Sequence, residues 1–90
     1  MELKDTIELM TSDDYKDRFK AEYYQTKIRY ERLKDFNNRI DAALATILSE
    51  KSVEMPVHDC PQHLLKDQQR TMGEYLHYLE VRAKIEGIEL

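Results

Sequence analysis

The stretch YKDRFKAEYYQTKIRYERLKDFNNRIDAALATILSE, residues 15–50, contains neither glycine nor proline. Phe19, Tyr23, Thr26, Tyr30, Leu33, Phe36, Ile40, Leu44 and Ile47 recur along it at steps of three and four. That period places them on one side of a helix, because 3.6 residues complete a turn. Thr11 or Ser12 is expected to cap the helix, with Asp13, Asp14 and Asp17 close to the positive end of its dipole. A span over residues 13–50 follows, ~57 Å long at ~1.5 Å per residue. Asn37 and Asn38 are the weak point at which it would bend or end early.

The next ten residues, KSVEMPVHDC (51–60), have no apolar period, and Pro56 interrupts any continuous helix. A second helix is expected over 61–87. Pro61 suits the first helical position, where its missing N–H costs no bond, and Asp59 or Cys60 stands where a cap belongs. Leu65, Gln68, Met72, Leu76, Leu79, Ala83 and Glu86 form its row, widened by Leu64, Tyr75 and Ile85. Gly87 is placed to end it in a left-handed conformation, turning Ile88 and Leu90 back onto the last turns.

The fold class is therefore all-α. A single domain over residues 1–90 is expected, built as a long two-helix antiparallel hairpin after a short N-terminal segment, residues 1–12. The shorter second helix would leave the N-terminal part of the first uncovered. Two helices also make a thin core. Self-association into a helical bundle or small ring is the expected remedy, through Phe19, Tyr23, Leu33, Phe36, Met72, Leu76 and Leu79.

Charged residues make up 36% of the chain and the net charge is −4, yet residues 15–39 alone carry +4. This basic belt is too short and too interrupted by acids to suit duplex DNA. No run of apolar residues is long enough to cross a membrane. Cys60 has no partner for an internal disulfide, which fits a cytosolic protein.

The blocks DYKDRFKAEYYQTKIRYERL and CPQHLLKDQQRTMGEYLHYLEVRAKIEGIEL cover over half of the chain. They carry Tyr15, Arg18, Phe19, Glu22 and Tyr23, then Cys60, Pro61, Leu64, Leu65, Gln68, Met72, Tyr75, Leu76, Leu79, Arg82, Ala83, Ile85, Glu86, Gly87, Ile88 and Leu90. In these features the chain resembles a family of small uncharacterised helical proteins of tailed phages and prophages, including crAss-like phages. This chain is longer between the blocks, around residues 41–59. The resemblance brings no assigned activity and no site residues. It implies an accessory phage protein working in the host bacterial cytoplasm, where counter-defence by non-catalytic binding is the expected role.

One form of that role is capture of an anionic, cyclic nucleotide signal. Phosphates call for cations and bases for flat aromatic faces, and Tyr23, Tyr24, Lys27, Arg29 and Tyr30 supply both within two turns. The competing reading packs Tyr23 and Tyr30 into a helix interface and pairs Lys27 and Arg29 with Glu22, Glu31 or Asp35. The other form is inhibition of a host defence protein, by a helix seated in a groove or by the acidic segment MELKDTIELMTSDD imitating nucleic acid. A purely structural assembly role is the third.

Enzymatic chemistry has little support. His58, Cys60 and His63 fall one ligand short of a structural zinc site, and a cap, a thiol and two surface imidazoles explain them equally well. Cys60 beside either histidine is the best nucleophile pair, but nothing orients it. No metal or other cofactor is expected.

Overall fold

The computed structural model describes all 90 residues. A 3-10 turn at Leu3–Thr6 leads into α1, Ile7–Met10; two long helices follow, α2 at Tyr15–Ala45 and α3 at Gln62–Glu86. α2 and α3 pack as an antiparallel hairpin, and the N-terminal turns lie along α2. The principal extents, 53 × 25 × 22 Å, are those of a short rod.

α2 begins two to three residues beyond the expected caps. Thr11 and Ser12 finish the preceding turn instead: the Thr11 hydroxyl donates to the Ile7 carbonyl at 2.8 Å, and the Ser12 hydroxyl donates to Asp17 at 2.8 Å. Asp14 is the true N-cap, its carboxylate accepting from the Lys16 N–H at 2.9 Å. At the other end α2 stops at Ala45 rather than near Glu50. The Thr46 hydroxyl donates to the Ala42 carbonyl at 2.7 Å and accepts from the Val53 N–H at 3.0 Å. A side chain that satisfies the backbone locally competes with further helix. Leu48, 99% exposed, offers no burial to extend it.

α3 starts one residue late, with Pro61 as the N-cap and no side-chain cap from Asp59 or Cys60. Pro61 contributes its carbonyl, which accepts from the Leu64 and Leu65 N–H groups. Gly87 closes the helix at φ 71°, ψ 33°, and the Ile88 N–H bonds the Ala83 carbonyl at 2.9 Å, so Ile88 folds into the core as expected, whereas Leu90 stays 41% exposed.

The core is Phe19, Tyr23, Leu76, Leu79, Ala83 and Ile88, with Tyr24 and Tyr30 packed against it. This reverses the expected surplus. The N-terminal half of α2 is covered by α3, and apolar side chains are left outside at the turn, Leu44, Ile47, Leu48 and Val57, and on α3, Tyr78 and Ile85. The reason is the connector. It does not jump straight across but runs back along α2, bringing His58 edge-on to Phe36 at 6.0 Å and entering α3 level with Asn37 and Asp41. α3 therefore slides toward the start of α2.

Asn37, expected to weaken α2, lies within it and is 1% exposed. Its amide donates to Gln69 at 2.9 Å and to the Leu65 carbonyl at 3.3 Å, a buried polar tie between the two helices. Gln68, expected on the inward row of α3, points to solvent, and Gln69 takes that place.

Candidate functional site

α2 faces α3 with Phe19, Tyr23 and Tyr30, which leaves Tyr24, Lys27 and Ile28 along one shoulder of the hairpin. Tyr23 is buried; its ring meets Tyr24 edge-on at 5.4 Å and 73°, and its hydroxyl donates to Glu80 at 2.8 Å. Burial, followed by the hydrogen bond to Glu80, pushes this phenol up from 10.0 to about 12. Tyr23 is thus a packing residue with a satisfied polar tip. Tyr24 is half-buried and keeps ring surface at the shoulder.

Lys27 is exposed, with its ammonium 5.8 Å from the centre of the Tyr23 ring. Neither Lys27 nor Arg29 forms an ion pair: the five pairs of the chain join Lys4 to Glu2, Lys66 to Asp41, Arg70 to Asp67 and to Glu74, and Arg82 to Glu86. The expected pairing with Glu22, Glu31 or Asp35 is not made.

Two grooves meet at Lys27. One, of about 450 Å³, is lined by Met1, Tyr24, Lys27, Ile28, Glu31 and Arg32. The other, of about 200 Å³, lies between the helices and includes Lys27, Tyr30, Gly73 and His77 with two acids, Glu31 and Glu80. Of the five residues singled out in the sequence, the fold brings Tyr23, Tyr24, Lys27 and Tyr30 together. Arg29 falls elsewhere, because two residues along a helix are ~200° apart around its axis. Arg32 was missed, although Tyr24, Ile28 and Arg32 stand at helical steps of four.

A larger groove, about 690 Å³, sits at the far end between Tyr23, Glu80, Lys84, Glu89 and Leu90. Its two carboxylates outnumber its one ammonium, which disfavours an anion. Glu31 is the only acid in the Tyr24 groove, against Lys27 and Arg32.

The other sequence candidates serve packing or lie elsewhere. Phe19, Tyr23, Leu76 and Leu79 are consumed by the hairpin's own core, while Met72, Leu33 and Phe36 are half-buried. His58 bonds the Cys60 carbonyl at 2.8 Å, Cys60 is exposed, and no three His, Cys, Asp or Glu side chains converge as a metal set. The acidic N-terminal segment is docked rather than free. Thr6 is fully buried, and the Gln25 amide donates to its hydroxyl at 2.9 Å and contacts the Met10 sulfur at 3.4 Å. No helix is long and apolar enough to cross a membrane.

No curated protein and no solved structure matches the chain. A family model does: the Sequestin model covers residues 13–85, from the residue before the cap of α2 to the last turn of α3. Matched over most of its length, the chain belongs to the Sequestin family, non-catalytic phage proteins that sequester host signalling molecules as anti-defence.

Proposed function

We propose that the sequestered signal is an anionic, cyclic nucleotide and that it is held around Lys27. The observation that carries this reading is an exposed cation in no ion pair, in a groove that also presents Tyr24 and Arg32 and in which cations outnumber the single acid. In the Tyr24 groove the ring face would stack on a base, a contact worth ~1–3 kcal/mol. Lys27 and the planar guanidinium of Arg32 would meet the phosphates, the latter by paired hydrogen bonds. The groove volume, about 450 Å³, lies within the range of small-molecule sites.

Binding without chemistry is sufficient for this task. Sequestration lowers the free concentration of a signal in proportion to protein present, so affinity and copy number decide the outcome. A cyclic dinucleotide has its own two-fold symmetry, and two copies of the chain would offer two matching shoulders; the working form is accordingly a homo-oligomer.

The test is thermal unfolding of the purified protein against cyclic dinucleotides, cyclic trinucleotides and cyclic ADP-ribose isomers. A ligand at ~100 times its Kd adds ~2.7 kcal/mol of stability. A selective rise in Tm that is lost in Lys27→Gln supports the reading. No shift across the panel, or a shift indifferent to Lys27, overturns it.

A further inference from the structure

We infer that the outer face of α3 pairs with the same face of a second copy, antiparallel, about a two-fold axis at Tyr78. This names the surface for the self-association proposed above. Its test reads mass without ligand, so it stands or falls separately from the nucleotide reading.

The outer face of α3 carries apolar side chains open to water, while its flank at Tyr75, Arg82 and Glu86 reaches α2 through Glu22, Tyr15 and Phe19. Tyr78 is 67% exposed and Ile85 79%, with Val81 and Tyr75 also open. Around them the charges have a particular order. Arg70 pairs with Glu74 at 3.3 Å, and Arg82 pairs with Glu86 at 3.2 Å, each at a spacing of four. Tyr78 lies midway between these pairs.

Turning such a helix end for end about Tyr78 exchanges position with position. Glu74, four residues before Tyr78, meets Arg82 of the second copy, four after it; Arg70 meets Glu86 in the same way at eight. Tyr78 lies on the axis and meets its own copy, with Val81 of both chains on one flank of the crossing and Tyr75 of both on the other.

The arrangement also suits helix packing. Residues 70, 74, 78, 82 and 86 form one ridge of fourth neighbours, oblique to the axis, and a two-fold that lays this ridge along its copy crosses the helices at ~50°. The like-charged coincidence of Asp67 with Glu89 falls 11 residues from the centre, ~16 Å along the axis, where helices crossing at that angle have diverged. A charge order that reads the same in reverse with opposite sign specifies a second copy of this chain over an unrelated partner.

The experiment is sedimentation or light scattering of the full chain without ligand, using two block reversals, R70E/E74R and R82E/E86R. Each keeps the net charge and an intrahelical Glu–Arg pair at a spacing of four, but opposes like charges across the two-fold. The unaltered chain is expected at no less than twice the 10.8 kDa of one copy. Each variant alone is expected at the mass of one chain. Mixed in equal amounts they are expected to regain the doubled mass, because every reversed block then faces its complement.

A single-chain mass for the unaltered protein overturns the proposal, as does an R70E/E74R variant that keeps the doubled mass. Arg82 also touches the Phe19 ring and the Tyr15 hydroxyl. If R82E/E86R loses helix, R70E/E74R alone decides, since Arg70 and Glu74 pair only with each other and Asp67.

Discussion

The Tyr23 hydroxyl donates to Oε1 of Glu80 at 2.8 Å, crossing from α2 to α3. It is one of three such bonds. Tyr15 donates to Glu86 at 3.0 Å, and Tyr75 donates in the opposite direction, from α3 to Glu22. An ionised carboxylate only accepts, so each phenol must keep its proton for the bond to exist. Burial and then Glu80 raise Tyr23 to about 12; the bond to Glu22 is the largest influence raising Tyr75, and loss of water the largest raising Tyr15.

These shifts give the hairpin an alkaline limit. A phenol whose proton is held more tightly folded than unfolded contributes stability that is complete below its unfolded pKa and lost as pH rises through the folded one. For Tyr23 that window runs from 10.0 to about 12. Urea midpoints should therefore fall across it. Tyr23→Phe should be less stable near neutrality by about 1–2 kcal/mol, and its midpoint should fall less steeply with pH. An unchanged alkaline slope in Tyr23→Phe would show that Glu80 and burial do not hold this proton.

The core rests on few side chains, so their losses should be large. Leu79 is 1% exposed at the centre of the hairpin, and Leu79→Ala should cost ~2–5 kcal/mol. A domain of this size has ~5–15 kcal/mol in total, so the variant should be partly unfolded at 37 °C. Leu48→Ser, at a side chain open to water, should change stability by less than ~0.5 kcal/mol. Chemical denaturation of both reports the difference.

Asn37 is a sharper test of how the helices are aligned. Its amide reaches the Leu65 carbonyl and Gln69, while its own Oδ1 is buried without a partner. Asn37→Ala strands the Gln69 carbonyl and should cost ~1–3 kcal/mol. The double variant Asn37→Leu with Gln69→Leu removes both polar groups and should recover most of that loss, because paired replacement leaves nothing unsatisfied. Failure of the double change to recover would mean that the amides matter for shape rather than for hydrogen bonding.

Asn37 also marks where the sequence stopped being legible. Periodicity identified two helices and the all-α class, and Gly87 identified the end of α3; the faces were legible only in part, since Leu44 and Ile47 of the α2 row and Gln68 and Ile85 on α3 are open to water. Periodicity did not set how far one helix slides along the other. Any offset of a full turn keeps apolar against apolar. The choice depends on a connector folding back through Thr46, Val53 and His58, and on one amide meeting another; neither leaves a periodic trace. The candidate site shows the same boundary. Closeness in sequence grouped Arg29 with Lys27, whereas helical geometry separates them and substitutes Arg32.

Gly87 offers a local check on the end of α3. At φ 71° an added Cβ meets nothing within 4 Å, so a substitution suffers only from backbone conformation. Gly87→Ala should cost ~1–2 kcal/mol, and Gly87→Asn less, since asparagine tolerates the left-handed region. Equal losses from both would point to a lost contact instead.

The placement of Lys27 and Arg29 on opposite sides of α2 makes the nucleotide reading specific to position. Both are exposed cations without an ion-pair partner, and they differ by only two residues. Lys27→Gln should lower the ligand-free stability by less than ~1 kcal/mol, the contribution of its contact with the Tyr23 ring. It should nevertheless abolish the ligand-induced rise in Tm. Arg32→Gln should reduce that rise, because its guanidinium lines the Tyr24 groove. Arg29→Gln removes the same charge and should leave the rise unchanged. If Arg29→Gln weakens binding as much as Lys27→Gln, the ligand responds to the overall charge of the basic belt, and a defined site at the Tyr24 shoulder is excluded.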